Sequence, residues 1–192
     1  MRKERKAQRL RNLVTKYTHD ITAAASRVKL LILDVDGVLT DGSIILDNEG
    51  NEFKSFNVRD GHGIKMLIRS GVKVALITGR HSKVVDRRAR ELGITEVYQR
   101  CYIKTVAYEH LIDMFGVLDS EVAYVGDDIV DLSILVRAGL PVAVADAAEE
   151  AKNAARLVTV CQGGRGAVRE VCDLILKAQG KWDSIIDEYH NS

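Results

Sequence analysis

The stretch that most constrains the fold of this chain is an apolar run that ends abruptly in two aspartates. Leu30–Leu33 contains only leucine and isoleucine, and Asp34, Val35, Asp36 and Gly37 follow it. A short continuous apolar run is typical of a strand buried on both faces of a parallel sheet. Ligands of open α/β sheets bind at the carboxyl ends of such strands. The two carboxylates therefore predict a functional site at the end of this strand.

Two chemical uses of these carboxylates suit that position. A hard cation such as Mg²⁺ takes oxygen ligands and would join the two negative groups. A carboxylate can also attack phosphorus and form an aspartyl-phosphate. An acidic pair at a strand end also serves simply to cap a helix or a turn, so the pair alone leaves that structural alternative open.

Strand-like and helix-like segments alternate through the rest of the chain. Further strands are predicted at residues 72–77, 97–98, 122–125, 141–144 and 157–160. Helices are predicted at about residues 60–70, 83–92, 105–115, 129–138, 147–155 and 167–178. This alternation is typical of a parallel sheet with helices on both faces and right-handed crossovers. We therefore predict an α/β, three-layer, Rossmann-like fold.

Two short apolar runs after the first strand predict a β-hairpin over residues 43–57. The runs 43–46 and 51–56 flank a four-residue turn that ends in Gly50. This hairpin flap would emerge beside the predicted site and expose apolar side chains. A monomer of 192 residues could not easily cover them, so we expect self-association.

The composition is that of a soluble, single-domain globular protein. Hydrophobic residues make up 46% of the chain and the formal net charge is +1, so no bulk field would attract nucleic acid or a membrane. The three cysteines form no C-x-x-C motif, which favours reduced thiols in the cytoplasm. We expect neither a membrane span nor a signal peptide.

The amino-terminal region differs in charge from the rest. Residues 1–27 are rich in arginine and lysine with apolar residues at helical spacing, which predicts a basic amphipathic helix. It would lean on the domain or on a neighbouring subunit, or else contact an anionic surface. The domain itself would span residues 28–180, and a polar C-terminal tail would span 181–192.

Polar groups end three of the predicted strands and open one helix. They are Asp34 and Asp36, Thr78, Asp127 and Asp128, and Lys104. In a parallel sheet the carboxyl ends of the strands share one edge, so these side chains are expected to converge.

These residues, in this order, resemble the four motifs of the haloacid dehalogenase-like phosphatases. The motifs are Asp34-Val35-Asp36-Gly37, Thr78-Gly79-Arg80, Lys104, and Gly126-Asp127-Asp128 with Asp131. The resemblance implies that Asp34 is the nucleophile and that Asp36 acts first as acid and then as base. It implies that Thr78 binds a phosphate oxygen and that Lys104 neutralises charge on the phosphate and the nucleophile.

The same resemblance implies a Mg²⁺ site. The ion would be held by Asp34, the backbone carbonyl of Asp36 and Asp127, with water and a phosphate oxygen. Asp128 and Asp131 would orient metal-bound water or Lys104. Their alternative interpretation is a pair of charges at the start of a helix.

The spacing of the motifs leaves no room for a cap domain. Only 41 residues separate Asp36 from Thr78, and only 21 separate Lys104 from Gly126. A hairpin and a helix fill the first interval, and a helix and a strand fill the second. We therefore expect a capless phosphatase.

The flanking residues resemble the 3-deoxy-D-manno-octulosonate 8-phosphate (KDO 8-phosphate) phosphatases. The similar stretches are 34–42, 56–61, 77–80, 122–131, 142–147 and 163–174. The resemblance implies a homotetrameric hydrolase of lipopolysaccharide biosynthesis that releases phosphate from a small sugar-acid phosphate. It implies substrate contacts from Asn57, Val58, Arg59, Asp60, Gly61, Lys65, Arg80, Arg88 and Lys104. The guanidinium groups among these suit a carboxylate.

Two other functions stay open at this point. The same chemistry could act on another sugar-acid phosphate, such as a nonulosonate 9-phosphate. A catalytically idle scaffold that binds a partner is the alternative from another class. Such a scaffold would not need Asp34, Asp36, Lys104 and Asp127.

Overall fold

The computed structural model describes residues 17–191, so most of the predicted basic helix over residues 1–27 lies outside the described residues. Its last part is helical, because α1 spans His19–Arg27. The Thr18 hydroxyl caps this helix by accepting a hydrogen bond from the backbone N–H of Ile21 at 3.4 Å. Ile21, Ala24 and Ala25 face the core.

A six-stranded parallel sheet forms the centre of the described chain. Its strands are β1 Leu30–Leu33, β4 Lys73–Ile77, β5 Glu96–Tyr98, β6 Val122–Gly126, β7 Leu140–Ala143 and β8 Leu157–Val158. Their order is β5-β4-β1-β6-β7-β8, which places β1 between β4 and β6. All residues of β1 are fully buried, as the continuous apolar run predicts.

Helices cover both faces of this sheet. They are α2 Val58–Arg69, α3 Lys83–Leu92, α4 Lys104–Phe115, α5 Leu132–Leu135, α6 Glu149–Ala154, α7 Ala167–Ala178 and α8 Trp182–His190. Helix α7 packs against α1, α2 and α8, whereas α5 packs against α4 and α6. Right-handed crossovers put these two groups on opposite faces. The predicted three-layer α/β architecture is therefore confirmed.

The hairpin flap follows β1 and stands apart from the sheet. Its strands, β2 Ile45–Leu46 and β3 Glu52–Phe53, pair antiparallel and are shorter than the predicted runs. The turn is held by Asp47, whose carboxylate accepts hydrogen bonds from the backbone N–H groups of Glu49 at 3.0 Å and Asn51 at 2.7 Å.

Two segments differ from the sequence prediction. The helix predicted at 129–138 begins as a 3₁₀ turn, Ile129–Asp131, and only Leu132–Leu135 is α-helical. The carboxylate of Asp131 accepts hydrogen bonds from the backbone N–H groups of Asp127 and Asp128, so it holds the loop directly before this turn. The predicted polar tail contains α8, because Trp182 and Ile185 have the three-residue spacing of a helix face, Trp182 packs against the core and Ile185 is buried.

Among the helices of residues 17–191, none combines the length and the apolar character that crossing a membrane requires.

A glycine between α5 and β7 allows two backbone segments to touch. A Cβ atom at Gly139 would lie 2.5 Å from the backbone oxygen of Ser120. The backbone cannot rotate away as a side chain could, so we expect Gly139→Ala to lower the free energy of unfolding by about 3 kcal/mol. Gly93→Ala is the control: Gly93 has a φ of +80° but open space around it, and strain there costs about 1–2 kcal/mol. The free energy of unfolding of both variants would be measured in urea. A larger loss for Gly93→Ala than for Gly139→Ala would contradict this account.

Candidate active site

The carboxyl ends of the three central strands bring polar side chains to one edge of the sheet. Asp34 follows β1, Thr78 follows β4 and Asp127 follows β6. The backbone of Asp34 is fixed by a hydrogen bond to the carbonyl of Val125 at 3.0 Å, and that of Thr78 by one to Tyr98 at 2.9 Å. The structure thus places these predicted site residues on the shared edge.

Lys104 is buried between two carboxylates. It is the first residue of α4, and its Nζ lies 3.1 Å from Asp34 Oδ1 and 2.6 Å from Asp131 Oδ1. Burial lowers the pKa of Lys104, but the two neighbouring carboxylates outweigh burial and raise it above its ordinary value. Lys104 is therefore a fixed positive charge directly beside Asp34.

Asp131 organises this corner of the site. It is fully buried, and its Oδ1 also accepts a hydrogen bond from the hydroxyl of Tyr124 at 2.5 Å. Its Oδ2 accepts from the backbone N–H groups of Asp127 at 2.9 Å and Asp128 at 3.3 Å. Asp131 thus holds Lys104 and the loop after β6 together. The exposed Asp128 caps the next turn by accepting from the N–H of Ile129 at 2.7 Å.

Sequence reasoning missed Tyr124. It lies within β6, and its sequence context suggests only another core residue. In the structure its hydroxyl lies 3.4 Å from Lys104 Nζ, in addition to its contact with Asp131. A buried tyrosine hydroxyl needs a polar partner. A tyrosine three residues before the aspartate that follows the strand was the available signal.

Three carboxylates form a cluster that suits a hard cation. Oxygen atoms of Asp34, Asp127 and Asp131 lie within 4.8 Å of one another. Burial, followed by repulsion from Asp34 and Asp131, raises the pKa of Asp127 to about 8. Burial also raises the pKa of Asp34 to about 6 against the opposing effect of Lys104. Asp34 Oδ1 is buried and faces Lys104 Nζ at 3.1 Å, and the set of three carboxylates fits a divalent ion with oxygen ligands.

Gly37 explains how the Asp127 side chain approaches the loop that follows β1. This glycine has a φ of +90°, and a Cβ atom there would lie 1.9 Å from Asp127 Oδ2. Any side chain would displace the carboxylate of Asp127. The glycine directly after Asp36 is therefore required by the close approach of β6 to β1.

Asp36 faces the hairpin flap. Its Oδ1 makes a short ion pair with Nζ of Lys54, a residue that sequence reasoning did not select. Its Oδ2 lies 3.8 Å from Arg80 Nε, and Arg80 Nη2 lies 2.9 Å from Glu52 Oε1. The flap therefore contributes charged groups to the site within the same chain.

Some predicted substrate residues line a neighbouring cavity of about 1120 Å³. Asn57, Val58 and Arg59 face it together with the loop 160–166 and one side of α7. Asn57 also caps α2 by accepting a hydrogen bond from the N–H of Arg59 at 2.8 Å. These residues lie where the flap rejoins the domain.

The other predicted substrate residues make structural contacts within this chain. Both oxygens of the buried Asp60 accept backbone hydrogen bonds at the start of α7, from Gly166 at 3.2 Å and Arg169 at 2.7 Å. Gly61 leaves space for Arg88, since a Cβ there would lie 2.3 Å from Arg88 Nη2.

Arg88 also forms an ion pair with Glu91 at 2.9 Å, and its guanidinium lies 5.7 Å from the Phe56 ring centre. Lys65 is exposed on α2. The substrate roles of these four residues stay predictions.

Comparison with known proteins agrees with this geometry. Residues 92–170 match the family model of the haloacid dehalogenase-like hydrolases. The chain is 51% identical over 164 residues to the 3-deoxy-D-manno-octulosonate 8-phosphate phosphatase of Escherichia coli K12. The matched region covers 85% of this chain and 87% of that relative. The Yersinia pestis enzyme of that name is 51% identical over 84% of this chain and 87% of its own length.

Solved structures agree as well. The crystal structure of the Yersinia pestis phosphatase has a TM-score of 0.85 at 50% identity and covers 86% of this chain and 89% of its own. The structure of the Moraxella catarrhalis phosphatase, in complex with magnesium, phosphate and KDO, has a TM-score of 0.88 at 43% identity and covers 90% and 99%.

The predicted resemblance is therefore confirmed, because the identity extends over most of both chains and the motif residues meet at one edge of the sheet. This chain belongs to the 3-deoxy-D-manno-octulosonate 8-phosphate phosphatases, a family of haloacid dehalogenase-like hydrolases.

Proposed function

We propose that this protein hydrolyses KDO 8-phosphate to KDO and phosphate through an aspartyl-phosphate, with Mg²⁺, in lipopolysaccharide biosynthesis. The observation that carries the proposal is the buried Asp34 carboxylate, 3.1 Å from Lys104 Nζ, with Asp36 two residues further along the chain. This arrangement places a nucleophile, a fixed positive charge and a second carboxyl group in one small volume.

The carboxylate cluster supports the metal site that the family resemblance implies. Asp34, Asp127 and the backbone carbonyl of Asp36 would hold Mg²⁺, and Asp131 would fix the loop that carries Asp127. When bound, the ion neutralises negative charge on the phosphate and on the carboxylates around it. Relatives of known structure carry magnesium or cobalt.

The first chemical step transfers the phosphoryl group to Asp34. A carboxylate oxygen of Asp34 forms a bond to phosphorus while the bond from phosphorus to the sugar oxygen breaks. The leaving oxygen keeps the bonding electrons and takes a proton from the Asp36 carboxyl group. Lys104 stabilises charge that develops between Asp34 and the phosphate, and Thr78 donates its hydroxyl hydrogen to a phosphate oxygen.

The second step releases phosphate and restores Asp34. Asp36 is a carboxylate after the first step and accepts a proton from a water molecule. That water attacks the phosphorus of the aspartyl-phosphate, and the bond between phosphorus and Asp34 breaks. One side chain thus serves as acid and then as base.

Recognition of the sugar acid would fall to basic groups at the mouth of the site. Arg80 stands at this edge with 44% of its side chain exposed and lies close to Asp36. A guanidinium can bind a carboxylate through two parallel hydrogen bonds. The other substrate contacts would come from Asn57, Val58, Arg59, Asp60, Gly61, Lys65, Arg88 and Lys104.

A substrate panel tests the proposed reaction. We expect kcat/KM for KDO 8-phosphate to exceed that for a nonulosonate 9-phosphate and for simple sugar phosphates by at least about tenfold, because an extra or missing group in a fitted site has effects of this size. Asp34→Asn, which keeps the shape of the side chain, should reduce phosphate release to the enzyme-free level with an unchanged circular dichroism spectrum. Near wild-type turnover by Asp34→Asn would refute the nucleophile, and a preference for the nonulosonate would move the enzyme to another pathway.

Removal of the metal provides a separate test. EDTA followed by gel filtration should abolish phosphate release, because the clustered carboxylates would repel an incoming phosphate. Added Mg²⁺ should restore it, while the EDTA-treated protein without added metal serves as the control. Hydrolysis that persists at full rate without metal would contradict the assignment of Asp34 and Asp127 as ligands.

We further propose that the protein is a homo-oligomer, as a tetramer, and acts in the cytoplasm. The flap exposes Ile44, Ile45, Leu46 and Phe53 to 58%, 47%, 59% and 54%. Apolar residues that cluster on one surface mark an interaction site. Cys101 and Cys172 are free thiols, which suits a reducing compartment.

The proposed role of the flap in self-association can be tested by placing a charged residue on its apolar side. We expect Phe53→Asp to lower the molar mass measured by light scattering, because a carboxylate cannot be buried at an apolar contact without a partner. Val136→Asp is the control, since Val136 is exposed to 71% but lies outside the flap. An unchanged mass for Phe53→Asp, or equal dissociation by both variants, would show that the flap is not the assembly surface.

A further inference from the structure

Lys54 is a buried charge that the proposed reaction does not yet use. Only 1% of its side chain is exposed, although it follows the short strand β3 of the flap. Its ammonium group pairs with Asp36 Oδ1 and lies 3.5 Å from Glu52 Oε1. A lysine is rarely buried unless it is paired. Lys54 is thus held between a flap carboxylate and the acid–base residue.

Side chains of an extended chain point alternately to opposite sides, and this alternation places the Lys54 side chain on the side that faces the site. Residues two apart in an extended segment lie on the same side, so Glu52 and Lys54 point inward together. Phe53 between them points outward and is exposed to 54%. Glu52 is itself tied to Arg80 Nη2 at 2.9 Å. Arg80 therefore holds the Glu52 carboxylate, which in turn lies beside the Lys54 ammonium group at 3.5 Å.

This contact makes the two oxygens of Asp36 unequal. Oδ1 is occupied by Lys54, whereas Oδ2 lies 3.8 Å from Arg80 Nε, beyond hydrogen-bond distance. A group that transfers a proton must be held at the correct distance and angle from the accepting oxygen. Anchoring Oδ1 stops rotation of the carboxyl group and leaves Oδ2 for the proton that is transferred.

We propose that Lys54 is a positioning residue that orients Asp36 for protonation of the leaving oxygen. The proposal rests on the proposed phosphatase reaction and adds to it a residue of the flap. As the bond between phosphorus and the sugar oxygen breaks, that oxygen keeps the electron pair and takes the proton from Asp36. Lys54 holds the carboxyl group during this transfer and does not itself touch the transferred phosphoryl group.

Two substrates with different leaving groups separate positioning from general damage. A sugar alkoxide is a poor leaving group and needs the proton, whereas the nitrophenolate of 4-nitrophenyl phosphate leaves without it. The value of kcat/KM covers the steps up to departure of the leaving group. We expect Lys54→Met to lower kcat/KM for KDO 8-phosphate by about tenfold to a hundredfold and that for 4-nitrophenyl phosphate by less than about threefold.

Two control variants define the scale of this experiment. Asp36→Asn should show the same selectivity more strongly, because it removes the acid itself. Lys73→Met removes an exposed lysine at the amino end of β4, on the opposite edge of the sheet, and should leave both substrates unaffected.

The outcomes separate this proposal from the proposed function. Equal losses with both substrates, or no loss with either, would overturn the role of Lys54 in an otherwise active enzyme. If the wild-type protein cleaves neither substrate in the presence of Mg²⁺, the proposed phosphatase function itself fails.

Discussion

The ion pairs of Lys104 fix the geometry on which the rest of the site depends. Its ammonium group is buried between Asp34 at 3.1 Å and Asp131 at 2.6 Å. Taking these charges out of water has a penalty of several kcal/mol per ion, so each of them requires the others in place. The three residues belong to the start of α4, the end of β1 and the turn after β6. One cation therefore ties three separate segments to a single arrangement.

The net charge of this cluster also explains which ligands the site can bind. Asp34, Asp127 and Asp131 carry three negative charges when ionised, and Lys104 supplies one positive charge, which leaves a formal charge of −2. A phosphate dianion would be repelled by that field. A divalent cation restores neutrality, after which Lys104 and Thr78 can bind the phosphate. Metal and substrate are thus expected to depend on each other.

Sequence patterns were sufficient to predict those elements whose signal lies in residues close together in the chain. The apolar run Leu30–Leu33 predicted a central buried strand, and the alternation of elements predicted the parallel sheet. The helix predicted at 129–138 is shorter in the structure, because helical periodicity alone does not show that its first turn is 3₁₀ or that the α-helix ends at Leu135. Tyr124 and Lys54 were missed for a different reason. Their partners lie 7 and 18 residues away in the chain, and only the folded sheet edge and the closed flap bring them together.

The flap would link the proposed assembly to the chemistry of the site, because its two sides differ. Glu52 and Lys54 form a charged inner side against Asp36, while Ile45 and Phe53 form an apolar outer side. A two-stranded hairpin is marginally stable alone in water, so its position is determined by what each side contacts. Covering the outer side in an oligomer would restrict the hairpin and with it the ammonium group that orients the acid. If the proposed oligomer forms, this capless domain would gain a closed, ordered site from the flap, and the flap would gain its order from self-association.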